Sequence, residues 1–166
     1  MTFSTSLPAI ARGPGAATRA LGFARATVRR LDALAPLVDL GVRLFVATVF
    51  FRSGLTKIAS WDATLSLFEN EYAVPFLPPE IAAYLGTAVE LVFPVLLALG
   101  LGSRLAAFVL FAFNAIAVIS YPDLGATGLK DHQTWGLLLL VALLHGPGAL
   151  SLDRLISHRF AERAAG

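Results

Sequence analysis

The stretch Leu40–Ala59, LGVRLFVATVFFRSGLTKIA, is long enough to cross a bilayer, yet it carries Arg43, Arg52 and Lys57. At about 1.5 Å per residue a helix of this length spans the roughly 30 Å hydrocarbon core. A charge near the bilayer centre costs at least ~2.5–3.5 kcal/mol, so each of these side chains needs a partner, a route to the headgroups or a function. Three further apolar segments can surround this one, and one of them brings a carboxylate, Glu90.

Composition bears on this directly. Hydrophobic residues make up 57% of the chain and charged residues only 14%, against about 25% charged in a soluble domain. Too few charges are present to cover a water-facing surface, so the chain reads as an integral membrane protein. It has no cysteine. Disulfides, thiolate nucleophiles, cysteine-ligated iron–sulfur clusters and haem attachment through CxxCH are therefore excluded. Three histidines supply no metal site: His132 and His145 are about 20 Å apart on one helix, and His158 is in the tail. No Walker A loop, dinucleotide fingerprint or zinc motif occurs, and nothing suggests nucleic-acid binding.

The expected fold class is all-α, an integral membrane bundle of four antiparallel transmembrane helices. The four spans are expected near residues 37–59, 81–101, 103–121 and 132–150. Residues 1–36 form a basic N-terminal segment with five arginines before Leu31 and a break at Gly13-Pro14-Gly15. Two readings remain for it: a disordered tail, or a helix over 18–35 lying on anionic lipid headgroups. Residues 37–155 form the transmembrane domain and 156–166 a cytoplasmic tail. Asp62–Asn70 suits a short amphipathic helix, and Ser151 with Asp153 suits a cap for a tail helix. Pro94 leaves the carbonyl of Glu90 without its usual helix partner and predicts a kink. The basic residues at the N-terminus, at Arg104 and in the tail fall on one side, whereas Asp62, Glu69, Glu71, Glu80, Asp123 and Asp131 fall on the other. By the positive-inside rule both termini are expected to be cytoplasmic.

The strongest candidate constellation is Glu90 with Arg43, Arg52 and Lys57. Arg52 lies roughly 10 Å and Glu90 roughly 15 Å from the same outer face, a difference a guanidinium can bridge. One reading is an Arg–Glu pair that fixes helix register. The other is a polar pocket in which Glu90 accepts a proton or contacts a ligand and Arg52 or Lys57 donates. Lys57 is also expected to snorkel to the outer headgroups. Asn114 is the one strongly polar residue inside the third span. His145, near the inner end of the fourth, is a candidate contact for a bound ligand or a headgroup-level histidine. His132, beside Lys130 and Asp131, reads as an interfacial cap.

The chain resembles the DoxX family of small four-helix bacterial membrane proteins. The matching features are Arg43, Gly54-Leu55-Thr56-Lys57, Glu90, Gly100-Leu101-Gly102-Ser103-Arg104 and the closing Gly146-Pro147-Gly148-Ala149-Leu150-Ser151-Leu152-Asp153, over about Leu37–Leu155. Arg52 departs from the pattern, where an apolar or small residue is expected. The resemblance implies a membrane subunit rather than a complete enzyme, since relatives include the small subunit of thiosulfate:quinone oxidoreductase and components linked to thiol stress or copper-peptide handling. The expected role is a quinone-interacting anchor of a small redox or stress-response complex, with Glu90 and Arg52 at the reacting site, Arg43, Lys57, His145 and Asn114 around a quinone, and a protein partner or second copy beside it. The alternatives are a non-catalytic membrane scaffold and a small-solute carrier.

Overall fold

A computed structural model describes the backbone over residues 16–164 and the side chains over residues 21–160. Among these residues the fold is all-α. Six helices follow one another: α1 (Ala16–Ala59), α2 (Trp61–Asn70), α3 (Pro79–Leu99), α4 (Ser103–Ser120), α5 (Gly125–His145) and α6 (Leu152–Ala164). The chain divides between Ala35 and Pro36 into two units. In the first, residues 18–35 are helical, as one of the two readings expects, and Leu21, Phe23, Val28 and Leu31 are exposed. The break expected at Gly13-Pro14-Gly15 lies outside the described residues.

The second unit is built from apolar stripes at helical spacing. On α1 the inward stripe is Arg43, Val46, Ala47, Phe50 and Gly54; on α3 it is Ala82, Ala83, Gly86, Glu90, Pro94 and Leu97. On α4 it is Ser103, Ala106, Ala107, Leu110 and Asn114, and on α5 Gly136, Leu139 and Ala142. Val46, Phe50, Leu97, Leu110 and Leu139 meet in one core. Small residues let the backbones approach closely, as in other membrane bundles. A Cβ on Gly54 would come within 3.1 Å of the Cβ of Glu90, and one on Gly136 within 3.2 Å of the Asn114 amide.

Helices α3 and α4 are joined by a tight reversal of three residues, Gly100-Leu101-Gly102. Gly100 and Gly102 both take left-handed backbone angles, φ 71° and 57°, which only glycine adopts at little cost. The amide of Leu101 donates to the Leu96 carbonyl at 2.9 Å, closing the end of α3. Asp153 then completes this turn from the other end of the sequence. Its carboxylate accepts from the amides of Gly102 (2.9 Å) and Ser103 (3.2 Å), capping α4 rather than the tail helix that sequence reading assigned to it. The tail helix keeps Ser151, whose Oγ accepts from the Arg154 amide at 3.3 Å.

Among the described residues, three helices are long and apolar enough to cross a membrane: Leu21–Ala59, Pro79–Leu99 and Ser103–Ser120. The protein is thus an all-α membrane protein. The fourth expected span corresponds to α5, shifted toward the N-terminus. It starts at Gly125 instead of His132 and stops at His145 instead of Leu150. The stop has a simple cause: Gly146 precedes Pro147, and the residue before proline is pushed out of helical angles. The early start adds residues 125–131, including Lys130 and Asp131, ahead of His132 and Gln133, which makes the first half of the helix polar.

Candidate site: a buried Lys–Glu pair on an apolar cavity

A cavity of about 540 Å³ lies between the C-terminal half of α1, α2, the N-terminal half of α3, the C-terminal half of α4 and the start of α5. Most of its wall is apolar, including Phe50, Phe68, Val89, Phe113 and Trp135. The polar exceptions are Ser53, Lys57, Tyr72, Glu90, Ser120, Tyr121 and His132. This size and lining are those of a small-molecule site, where a few polar groups orient a mostly apolar ligand.

The central polar contact is between Lys57 and Glu90. Lys57 Nζ lies 2.5 Å from Glu90 Oε2 and donates a second hydrogen bond to Ser53 Oγ at 3.0 Å. The Lys57 and Glu90 side chains are only 15% and 6% exposed. Helical spacing explains the choice of partner. Phe50, Ser53, Gly54 and Lys57 share the face of α1 turned toward α3, whereas Arg52 is roughly 140° away from Lys57 around the axis. Arg52 is accordingly exposed and does not meet Glu90. The expected Arg52–Glu90 pairing is therefore replaced by Lys57–Glu90, and Lys57 turns inward instead of snorkelling. Depth along the axis allowed both arginine and lysine; the angle around it selects lysine.

The second polar group is His132, assigned from sequence to an interfacial cap. It is half-buried and lines the cavity, with its ring against Trp135 at a centroid distance of 4.8 Å. Asn114 holds it in place twice. The Asn114 Nδ2 donates to the His132 carbonyl at 2.9 Å, and Asn114 Oδ1 lies 2.8 Å from His132 Nδ1. With Nδ1 donating to that oxygen, Nε2 is left as an acceptor. Asn114 itself is absent from the cavity wall; it acts by orienting the histidine. The signal for His132 was present in the spacing. His132, Trp135, Gly136 and Leu139 form a stripe at i, i+3, i+4 and i+7 that turns the histidine inward.

The segment between α2 and α3 roofs the cavity. The Ala73 amide donates to the Ser120 carbonyl at 2.8 Å, and the Tyr121 hydroxyl donates to Glu71 Oε2 at 3.3 Å. Tyr72 packs edge-on against Tyr121 and Phe68, at 5.0 and 4.9 Å. Burial raises the Tyr72 phenol above its ordinary range, and the Glu71 carboxylate does the same for Tyr121.

Arg43 and His145 lie elsewhere. Arg43 is 2% exposed at the opposite end of the bundle, where its Nη2 donates to the Leu150 carbonyl. The carboxylates of Asp39 and Asp153 stand in electrostatic range. It ties α1 to the chain leading into α6 and has no place on the cavity. His145 is exposed at the last position of α5, also away from the cavity. Of the expected site residues, the cavity wall gathers Glu90 and Lys57, with Asn114 immediately behind His132.

The sequence model of the DoxX family matches residues 38–123. The chain belongs to the DoxX family. Among curated proteins, an uncharacterized protein of Haemophilus influenzae is 33% identical over 69% of this chain and 80% of its own length. The inner membrane protein YphA of Escherichia coli is 30% identical over 77% of this chain and 98% of its own. A Bacillus subtilis protein named "Putative oxidoreductase CatD" is 31% identical over 68% and 81%. No solved structure matches. The DoxX match contains Lys57, Glu90 and Asn114 but ends before His132, so one wall of the cavity lies beyond the matched region.

Proposed function

We propose that this DoxX protein is the membrane subunit of a redox complex and binds the ring of a quinone in the cavity beside Lys57 and Glu90. The observation that carries the reading is the cavity itself: apolar over most of its wall, with Lys57, Glu90 and His132 among its few polar groups. A quinone ring is planar and apolar on its faces and has two carbonyl oxygens at its edge. Lys57 Nζ and the Tyr72 hydroxyl are donors suited to those oxygens. Phe50, Phe113 and Trp135 suit the ring faces. Quinone reduction takes up two electrons and two protons, and Glu90 and His132 are the titratable groups that can pass protons to the oxygens. The electrons come from a partner protein, because the chain has no cysteine to ligate a cluster and no nucleotide-binding loop. The name of the B. subtilis relative, an oxidoreductase, agrees with this role.

The same reading takes α5 as a fourth crossing, for reasons of packing. It is as long as α3, packs along α4, and turns its polar His132 inward rather than to lipid. Four crossings put both termini on one side. Arg104 and Arg154 then lie at the cytoplasmic end, and Glu71, Glu80 and Asp123 outside. The E. coli relative is named for the inner membrane, the location proposed here. Proposed subdivisions are a membrane domain from about residue 37 to 155 with short flanking segments.

Trp135 in the wall provides the test. Menaquinone-4 added to the protein in detergent, in a Trp61→Phe background, should quench Trp135 saturably. Glu90→Gln and His132→Ala should each weaken the binding while leaving the protein folded. Unsaturable quenching, unchanged in both variants, would point instead to a scaffold whose task is partner binding.

A further inference from the structure

The cavity wall divides by exposure in a way that bears on how a ligand enters. Four lining residues are exposed: Leu77, Leu85, Phe108 and Ile116. All four are apolar. Leu77 lies in the segment just before α3, Leu85 in the second turn of α3, and Phe108 and Ile116 on α4. Every polar lining residue is buried or half-buried. The opening therefore lies along the seam between α3 and α4, on the side of the bundle turned to hydrocarbon. The end turned to water is roofed by the segment that Ala73 fastens to Ser120 and Glu71 fastens to Tyr121.

The seam is open there for a local reason. Helices α3 and α4 are clamped at their other end by the Gly100–Gly102 turn and its Asp153 cap. Toward the roof, α3 has Ala82 and Gly86 in its inward stripe, and α4 has Ala112 and Ala117 on the cavity wall. The rings of Phe68 and Phe113 stand against Gly86, and the small side chains of Ala112 and Ala117 leave room beside them.

From this division we infer that the cavity is a side-entry site for a membrane-dissolved amphiphile. The polar head reaches Lys57, Glu90 and His132, and a long apolar tail leaves between α3 and α4 into the bilayer. The occupant class is thus a lipid-soluble, tailed molecule rather than a water-soluble solute. This deepens the quinone reading by naming the tailed form, but the side opening itself does not depend on the head being a quinone. A tail left in hydrocarbon needs no desolvation on binding, and only the head exchanges lipid surroundings for the cavity's polar groups.

The test uses the full chain with Trp61→Phe in vesicles, so that Trp135 reports alone. Lipids brominated on their acyl chains should quench Trp135 and iodide in the water should not. Ala112→Phe, which fills the seam, should remove most of the lipid quenching, and Phe108→Ala, which widens it, should increase it. Efficient iodide quenching with none from brominated lipid would overturn the side entry. In the same vesicles, menaquinone-4 should bind better than menadione, which has the same ring without the tail. If brominated lipid quenches as described but neither quinone binds, the quinone reading fails and the side entry stands. If menadione binds as well as menaquinone-4, the tail plays no part and the assigned ligand class is wrong.

Discussion

Replacing Lys57 with methionine removes the charge opposite Glu90 and keeps much of the volume. At 2.5 Å and an effective dielectric of about 20, the attraction lost is about 7 kcal/mol. Burying both charges offsets much of that, and truncating one partner of a buried pair costs about 3–5 kcal/mol, mainly because the other charge is left unpaired. Glu90 is 6% exposed, so water cannot readily take over from the lysine. Lys57→Met should therefore lose about 3–5 kcal/mol in reversible unfolding by SDS from mixed micelles. The double variant Lys57→Met, Glu90→Met removes both charges. Apolar replacements of buried pairs are often neutral or stabilising, so it should regain nearly all of the loss. A single variant within about 1 kcal/mol of the parent, the range of an exposed pair, would refute the argument. So would a double variant as unstable as the single one.

Arg52→Leu should leave both stability in the same assay and quinone affinity unchanged or improved, because Arg52 is exposed and turned away from Glu90; a loss of binding would restore the arginine to the site. Asp153→Ala should cost about 0.5–2 kcal/mol through loss of the α4 cap, and limited proteolysis should release the tail sooner than in the parent. Alkaline titration tests the roof. The phenols of Tyr72 and Tyr121 are raised in the folded chain, so their linkage stabilisation is complete below the usual tyrosine value of about 10 and is lost as pH rises through the folded values. Tyr72→Phe and Tyr121→Phe should each remove one late-titrating phenolate from the absorbance titration.

The all-α membrane character was plain in the sequence because it depends on composition and on uninterrupted apolar length, both local properties. Glu90 was also legible, since an ionisable residue in an apolar run is conspicuous wherever it packs, whereas Lys57, expected to snorkel, turns inward onto it. Pairing was harder. Depth along a helix can be counted from one sequence, but choosing between Arg52 and Lys57 requires the angle at which α1 faces α3. The Phe50, Ser53, Gly54, Lys57 stripe carries that angle, and Arg52 lies off it. His132 was misjudged because the start of α5 was set by hydropathy. Its polar first turns are helical and mostly exposed, but His132 falls on the face turned toward Trp135 and Gly136, so it lies on the cavity wall. Asp153 was unreadable for a different reason. It caps α4 across fifty positions of sequence, and no local pattern encodes such a contact.

A quinone held in the Lys57–Glu90 cavity should stay with the protein through gentle purification. The most direct measurement is the quinone content of the protein purified from bacterial membranes in mild detergent, extracted and quantified per chain beside Glu90→Gln. Near-stoichiometric quinone is expected in the parent and a marked drop in the variant. Absence of quinone from both, with the two proteins equally folded, would contradict it.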